Sequence, residues 1–470
     1  MPVNPTRPDS VQPFETFRDP AGSLRFEGDR VLRTVRREYA EDVLRFVRSK
    51  TGRHWVESGQ LIAVEVLDEP THSDATVQFE HPRVFFPSYP WEWTPGQWIA
   101  AGELTLNLCE EMLPQGLVLK DATPLNVLFA GPQPVFIDVL SVEERDPANP
   151  IWLAYAQFVR TFLLPLAAHK YLGWPLAASL NRRDGYEPAD LYSYLSLVQR
   201  WSRPFCSLVT LPCLLERRKQ GANATISGHS WKQSPEIATA TLRRTLRGLK
   251  KTLHSLLPAK RRTRWSDYPQ NANHYYEEDH AAKQEFVRHA LSLAQPKAVL
   301  DLGANTGVYS RIAASFGAQV VAWDSDIWAC EQNWRSAQEQ GLPIQPVVAD
   351  VSRPTPATGW RNIETLSLLD RARGRFDAVM MLGLIHHLLL SDQIPLDRIA
   401  SLMREFAGKW LIVEWIPASD PRFVELLRGR ESLYRHLHEE AFVDAFSEHF
   451  SCVLRELLKN GRTLYLFEHT

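Results

Sequence analysis

Cysteine is scarce in this 470-residue chain. There are five, Cys109, Cys206, Cys213, Cys330 and Cys452, scattered with no Cys-x-x-Cys pair. That spacing excludes a disulfide framework and a cysteine zinc site, and predicts reduced thiols in a cytoplasm. An excess of one charge is also lacking: 53 Lys and Arg against 55 Asp and Glu leave a net −2, which argues against wholesale nucleic-acid binding. The start, Met1-Pro2-Val3-Asn4-Pro5, has no apolar core of the signal-peptide kind. Nor is there a clean membrane-length apolar run. Ile151 to Trp174 comes nearest, but Gln157 and Arg160 sit inside it, with Pro165, His169 and Lys170 further on. A mid-span Arg costs roughly 2.5 kcal/mol or more in lipid, so a buried helix of a soluble domain is expected there. The dinucleotide fingerprint Gly-x-Gly-x-x-Gly does not occur at the most glycine-marked loop, Gly303-Ala304-Asn305-Thr306-Gly307.

What is present is an ordinary globular composition, 44% hydrophobic, in a chain long enough for two or three domains. The informative stretch is Val299-Leu300-Asp301-Leu302-Gly303-Ala304-Asn305-Thr306-Gly307. Apolar residues run into an acid, then a small-residue loop, then the helix-like Val308-Tyr309-Ser310-Arg311-Ile312. Glycine lets such a loop approach a ligand closely, and the helix behind it presents free N–H groups. Asp324-Ser325 ends a second apolar run, where a carboxylate can grip two ribose hydroxyls. A third run, Ile344 to Ala349, ends in Asp350-Val351. A fourth, Phe376 to Leu382, leads to His386-His387. A fifth, Lys409 to Trp415, carries Glu414 near its end. Cys452 to Leu458, the turn Lys459-Asn460-Gly461 and Thr463 to Phe467 predict a closing hairpin.

Five β-α units closed by an antiparallel hairpin resemble the class I S-adenosylmethionine-dependent methyltransferases, over about 266–470. The resemblance implies an α/β fold with a Rossmann-like, seven-stranded, mostly parallel sheet. It also implies that Asp301, Gly303, Ala304, Asn305 and Gly307 shape the methionine pocket, that Asp324 with Ser325 holds the ribose, and that Asp350 with Val351 lies at the adenine edge. The aromatic-rich approach Trp265, Tyr268, Tyr275, Tyr276 with Lys283 either meets the sulfonium, as aromatic faces meet cations, or packs over the sheet edge. His386 or His387 either acts as a base toward an O or N acceptor or merely shapes the pocket, the other histidine packing under the following helix. Glu414 either orients a histidine, binds a cationic acceptor or is a rim carboxylate.

In the other half, Asp121 precedes Asn126 by five residues and Asp138 follows it by twelve, at the end of Val135-Phe136-Ile137. This resembles the catalytic loop and metal-binding Asp of protein-kinase-like and aminoglycoside-phosphotransferase-like folds, which implies Mg²⁺ at Asn126 and Asp138 and ATP beside it. The departures are Leu119 for the usual His, Val139-Leu140 for an aromatic and Gly, no glycine-rich loop before residue 60, and Arg33 where a Lys is usual; Arg and Lys are not interchangeable at such a site. The plain alternative is that Asp121 and Asn126 cap a turn; a third is a scaffold that now holds the methyl acceptor.

Strand-like runs are expected at Trp55–Leu67 and Ala75–Phe86, with helices over Arg36–Lys50 and Gly102–Leu113. Domains are expected at 1–232 (α+β), 233–265 (linker helix) and 266–470. In Ile237–Leu257, Leu242, Leu246, Leu249, Leu253 and Leu256 form one stripe opposite Arg243, Arg244, Arg247, Lys250 and Lys251. Such a helix either contacts an anionic surface or rests its leucines on a neighbour. The whole chain further resembles bacterial methyltransferases of the nodulation host-specificity type, at Asp121–Leu140, Trp152–Leu166, Asp350–Trp360 and Leu384–Leu389, departing at Met381-Leu382-Gly383. The reading is methyl transfer to an O or N atom of a small-molecule or saccharide-like acceptor. Its alternatives are a bifunctional protein that also binds ATP–Mg and phosphorylates or holds the acceptor, and a non-catalytic scaffold.

Overall fold

A computed structural model of the chain describes residues 18–28, 30–67, 76–221, 233–259 and 274–470, with the side chains of 218–221 and 274–277 also outside the description. Trp265 and Tyr268 and the side chains of Tyr275 and Tyr276 therefore lie outside the described residues, as do Lys260, Arg261, Arg262 and Arg264. The chain divides into two compact units, 1–129 with 133–259, and 130–132 with 260–470.

The first unit opens with strands β1 (Gly22–Glu27) and β2 (Arg30–Arg36), paired antiparallel. The helix Arg37–Val47 follows. The expected strand over Trp55–Leu67 does not form: Lys50–Glu57 is a helix, because the Ser49 hydroxyl accepts from the Gly52 N–H at 3.0 Å and so caps it. Only β3 (Glu65–Val66) pairs, against β4 (Thr76–His81), giving a sheet of order β1-β2-β4-β3. The next helix begins earlier than expected, at Pro95, and runs to Met112. Thr94 and Gln97 cap its start reciprocally, at 3.3 and 2.9 Å. Strand β5 (Leu117–Leu119) leads to the hairpin β6 (Val127–Ala130) and β7 (Gln133–Phe136), and β8 (Val142–Glu144) pairs back on β5.

The apolar run at 151–174 is helical over Tyr155–Leu172, with one π segment at Val159–Leu163, and its middle is buried from Phe158 to Ala168 except at half-buried Arg160. Among the described residues no helix is long and apolar enough to cross a membrane. The helix Pro235–Ser255 buries Leu242, Leu246, Leu249 and Leu253 and packs on Pro95–Met112. Its cations meet that helix's acids: Arg247 Nε reaches Glu110 at 2.8 Å and Lys250 Nζ reaches Glu103 at 2.7 Å.

The second unit is a seven-stranded sheet: β9 (Ala298–Leu302), β10 (Gln319–Asp324), β11 (Ile344–Val348), β12 (Phe376–Met381), β13 (Ala407–Trp415), β14 (Phe450–Leu457) and β15 (Thr463–His469). Their spatial order is β11-β10-β9-β12-β13-β15-β14. All neighbours are parallel except β15, antiparallel to both β13 and β14. The near-continuous apolar runs suit strands buried on both faces; on one face Phe286, Val287, Ala290 and Leu291 of the helix His274–Ala294 pack against Val299, Val320, Ala378 and Ile412. The order reverses between β9 and β12, and in open α/β sheets that switch point opens a crevice at the carboxyl ends of the strands.

Candidate functional site

The loop after β9 turns on left-handed residues: Gly303 at φ 71°, Asn305 at φ 49° and Gly307 at φ 78°. Gly303 and Ala304 donate their N–H groups to the Trp323 carbonyl at 2.9 and 3.0 Å, tying the loop to β10. At Gly307 a Cβ would fall 2.0 Å from Asn333 Oδ1, so only glycine fits. The Asn305 N–H donates to Asp324 Oδ2 at 2.8 Å, and the Asp326 N–H donates to Oδ1 at 2.8 Å. Asp324 thus stands at the tip of β10, fixed by backbone donors and bordering the loop. Burial raises its pKa, against the pull of those donors. Asp301 is fully buried below the loop and accepts from the Ser310 hydroxyl at 2.6 Å. Burial pushes it up to about 6, with the Ser310 bond opposing and Asp324 adding to the rise. Ser325 is exposed beside Asp324 and Val351 is half-buried. Asp350 is drawn into its own turn, accepting from the Ser352 N–H and hydroxyl at 2.9 and 2.6 Å and from Arg353 Nε at 3.0 Å. Burial works against ionisation there, but these donors outweigh it and the pKa is lowered.

The loop and Asp324 leave acceptors that an adenosyl and methionine moiety could meet. Asn305 Oδ1 is buried and lacks a partner, an orphan acceptor of the sort that marks a ligand position. Asp324 keeps acceptor capacity beyond its two backbone bonds, since each carboxylate oxygen has two lone pairs.

Across the strand ends lies a second group. Glu414, 1% exposed, accepts from Lys283 Nζ at 2.5 Å and from Arg462 Nη1 at 3.4 Å. Arg462 also donates Nε to Asp420 at 2.8 Å. Burial pushes Glu414 up, yet the two cations prevail and its pKa is lowered. It is therefore an anion engaged on both sides, suited to holding cations in place rather than to taking a proton. Lys283 also sits 5.1 Å from the Tyr309 ring centroid. Gly383 turns at φ 69°, and a Cβ there would sit in ordinary contact with the pair, 3.7 Å from Glu414 Oε2 and 4.0 Å from Lys283 Nζ.

His386 and His387 begin the short helix Ile385–Leu390, their rings 4.2 Å apart. His386 is buried with Nδ1 unpartnered. Burial, then His387 and Arg462, hold its pKa down to about 3 against Glu414 and Asp420. His387 is half-exposed. The structure thus brings His386, Glu414 and Lys283 into one electrostatic group, joined by Arg462 and Asp420, which sequence reasoning did not single out. Ser310 and Asn333 were also missed.

In the first unit, Asn126 and Asp138 share Ser141: Asn126 Nδ2 donates to its hydroxyl at 3.2 Å, and the hydroxyl donates to Asp138 Oδ2 at 2.6 Å. The other oxygen of Asp138 pairs with Arg33 Nη1 at 3.2 Å. Asp121 accepts from Gln157 at 3.2 Å. Among the described residues no group of three His, Cys, Asp or Glu is arranged to hold a metal ion. Asp138 is engaged by a guanidinium and a hydroxyl, and nothing in this geometry supports an ATP–Mg site.

Sheet order, the antiparallel β15 and the acids near the ends of β9 and β10 together define the fold of the second unit as that of class I methyltransferases. Over nearly its whole length the chain is similar to nodulation protein NoeA of Rhizobium meliloti (strain 1021), 29% identical over 469 residues, 97% of this chain and 95% of that one. No protein-family model matches. Among solved structures it is similar to the N-methyltransferase NodS of Bradyrhizobium japonicum WM9, 12% identical with a TM-score of 0.31, covering 42% of this chain and 98% of that one. Magnesium protoporphyrin IX methyltransferase of Synechocystis PCC 6803 with bound SAH is 15% identical, TM-score 0.31, covering 43% and 89%.

Proposed function

We propose that the second unit transfers a methyl group from S-adenosylmethionine to an oxygen or nitrogen of a small-molecule or saccharide-like acceptor. The observation that carries this reading is the loop Asp301–Gly307, held by left-handed residues against Asp324 with the Asn305 Oδ1 buried and unpartnered. The cofactor supplies a sulfonium-bound methyl already activated for in-line displacement. The chain's own task is then alignment. Asp324 meets the ribose, and Asp350 and Val351 border the adenine. Glu414, held by Lys283 and Arg462, fixes the wall beside Gly383. An O–H or N–H acceptor would also have to lose its proton. Of the two histidines, His387 suits its removal better, because His386 is too weak a base at about 3.

Calorimetry with S-adenosylmethionine tests the reading. Asp324→Ala removes charge-assisted hydrogen bonds worth roughly 1.5–3 kcal/mol each, so affinity should drop at least about tenfold. Equal affinity in wild type and variant would remove Asp324 from the site.

A further inference from the structure

The short helix Leu197–Trp201 of the first unit has no buried residue. Leu197 is 74% exposed, Val198 81% and Trp201 63%, with Tyr194 just before them at 66%. Leu211 and Leu215, four apart and so on one face of the helix Leu211–Gly221, are exposed too. The segment Cys206–Thr210, which runs into the helix Leu211–Gly221, packs on Leu197–Trp201, and Thr210 Oγ1 donates to the Arg200 carbonyl at 2.6 Å. This is not an unfilled core, because Leu195, Phe205, Leu208 and Val209 of the same segment are buried beneath. The outward apolar side chains are thus surplus to the core, and such a concentration of exposed apolar groups in one short stretch of chain points to an interaction site.

Charge says what it meets. Between Ser193 and Lys219 the bases are Arg200, Arg203, Arg217, Arg218 and Lys219, and the only acid is Glu216, in a chain whose net charge is −2. Arg200 and Arg217 lie over the Tyr192 ring at 4.1 and 5.2 Å, which fixes two of the cations. The basic helix Pro235–Ser255 differs in both respects, since its leucines are buried and Arg243, Arg247 and Lys250 face Glu110 and Glu103.

We propose that the face formed by Tyr194, Leu197, Val198, Trp201, Leu211 and Leu215 docks the protein on an anionic lipid surface. The apolar tips enter the boundary of headgroup and acyl chain, where Trp and Tyr are favoured, and the arginines meet lipid phosphates. The inference is independent of methyl transfer.

Co-sedimentation of the full chain with vesicles tests it, comparing phosphatidylcholine alone with phosphatidylcholine mixed with phosphatidylglycerol. Binding is expected to the mixed vesicles only, and to weaken with salt. Arg203→Gln and Arg217→Gln should each weaken it by about fivefold. Leu197→Ser with Trp201→Ser should weaken it by about tenfold or more, with circular dichroism unchanged. Arg244→Gln with Lys251→Gln should leave it unaltered. Absence of binding to mixed vesicles overturns the proposal, as does binding indifferent to the serine and glutamine variants. Self-association that the serine pair abolishes, without vesicle binding, would assign the face to a second copy of the chain instead.

Discussion

At the residue scale, two perturbed groups of the candidate site give different pH signatures. Asp301 is raised from an ordinary 3.8 to about 6 by burial. Between those values the folded chain holds a proton that the unfolded chain has released. Stability contributed by this group therefore falls as pH rises from about 4 to about 6, by about 3 kcal/mol in all. Asp301→Asn removes that loss. Urea unfolding at both ends of the window should show the variant gaining on wild type by roughly 2–3 kcal/mol from pH 4 to pH 7; a flat difference would mean that Asp301 is not desolvated. His386, by contrast, stays neutral until about 3. Any acid limb of turnover near pH 6–7 then belongs to another group, and His386→Gln should leave its position unaltered, whereas His387→Gln should lower turnover by roughly 10²-fold with cofactor affinity kept. A limb that disappears in His386→Gln would reverse the assignment. Strand-end carboxylates were legible in the sequence because each closes an apolar run. Arg462 and Asp420 were not: Arg462 follows the hairpin glycine and reads as an ordinary turn residue, and only the pairing of β15 on β13 carries it to Glu414.

At the scale of elements, the parallel strands were legible because burial on both faces leaves near-continuous apolar runs, and the closing hairpin because Asn460-Gly461 marks it, with Gly461 at φ 83°. The first unit was less so. Trp55 sits in an aromatic, valine-bearing run that suggests a strand, yet the Ser49 cap and the bond from its indole to Glu111 at 2.6 Å set it on a helix. Tertiary contact overrode propensity there. The loop at 303–307 is the element whose geometry is most tightly determined. Gly307→Ala must hold an alanine at φ 78°, a strain of roughly 1–3 kcal/mol, and it drives a methyl group into Asn333. Thermal unfolding should show a clear loss, and pairing the change with Asn333→Ala should recover the steric part but not the backbone part. A variant as stable as wild type would mean that the loop can turn another way.

At the scale of the whole molecule, one chain carries two constellations that the sequence reads with similar spacing logic, and the structure separates them by how their carboxylates are used. Around Asp324 the partners are backbone N–H groups, which leave lone pairs for a ligand and keep an orphan acceptor, Asn305 Oδ1, beside it. Around Asp138 the partners are Arg33 and Ser141, so the charge that a metal would neutralise is already neutralised from within. Ligand-linked stability distinguishes the two. A ligand at about a hundred times its Kd stabilises the state it binds by about 2.7 kcal/mol. Thermal unfolding of the intact chain is therefore expected to shift upward with S-adenosylmethionine and to lose that shift in Asp324→Ala. ATP with Mg²⁺ is expected to give no shift, in wild type or in Asp138→Ala. If ATP–Mg stabilises the wild type and Asp138→Ala abolishes the effect, Arg33 must yield Asp138 to the metal, and the first unit binds nucleotide after all.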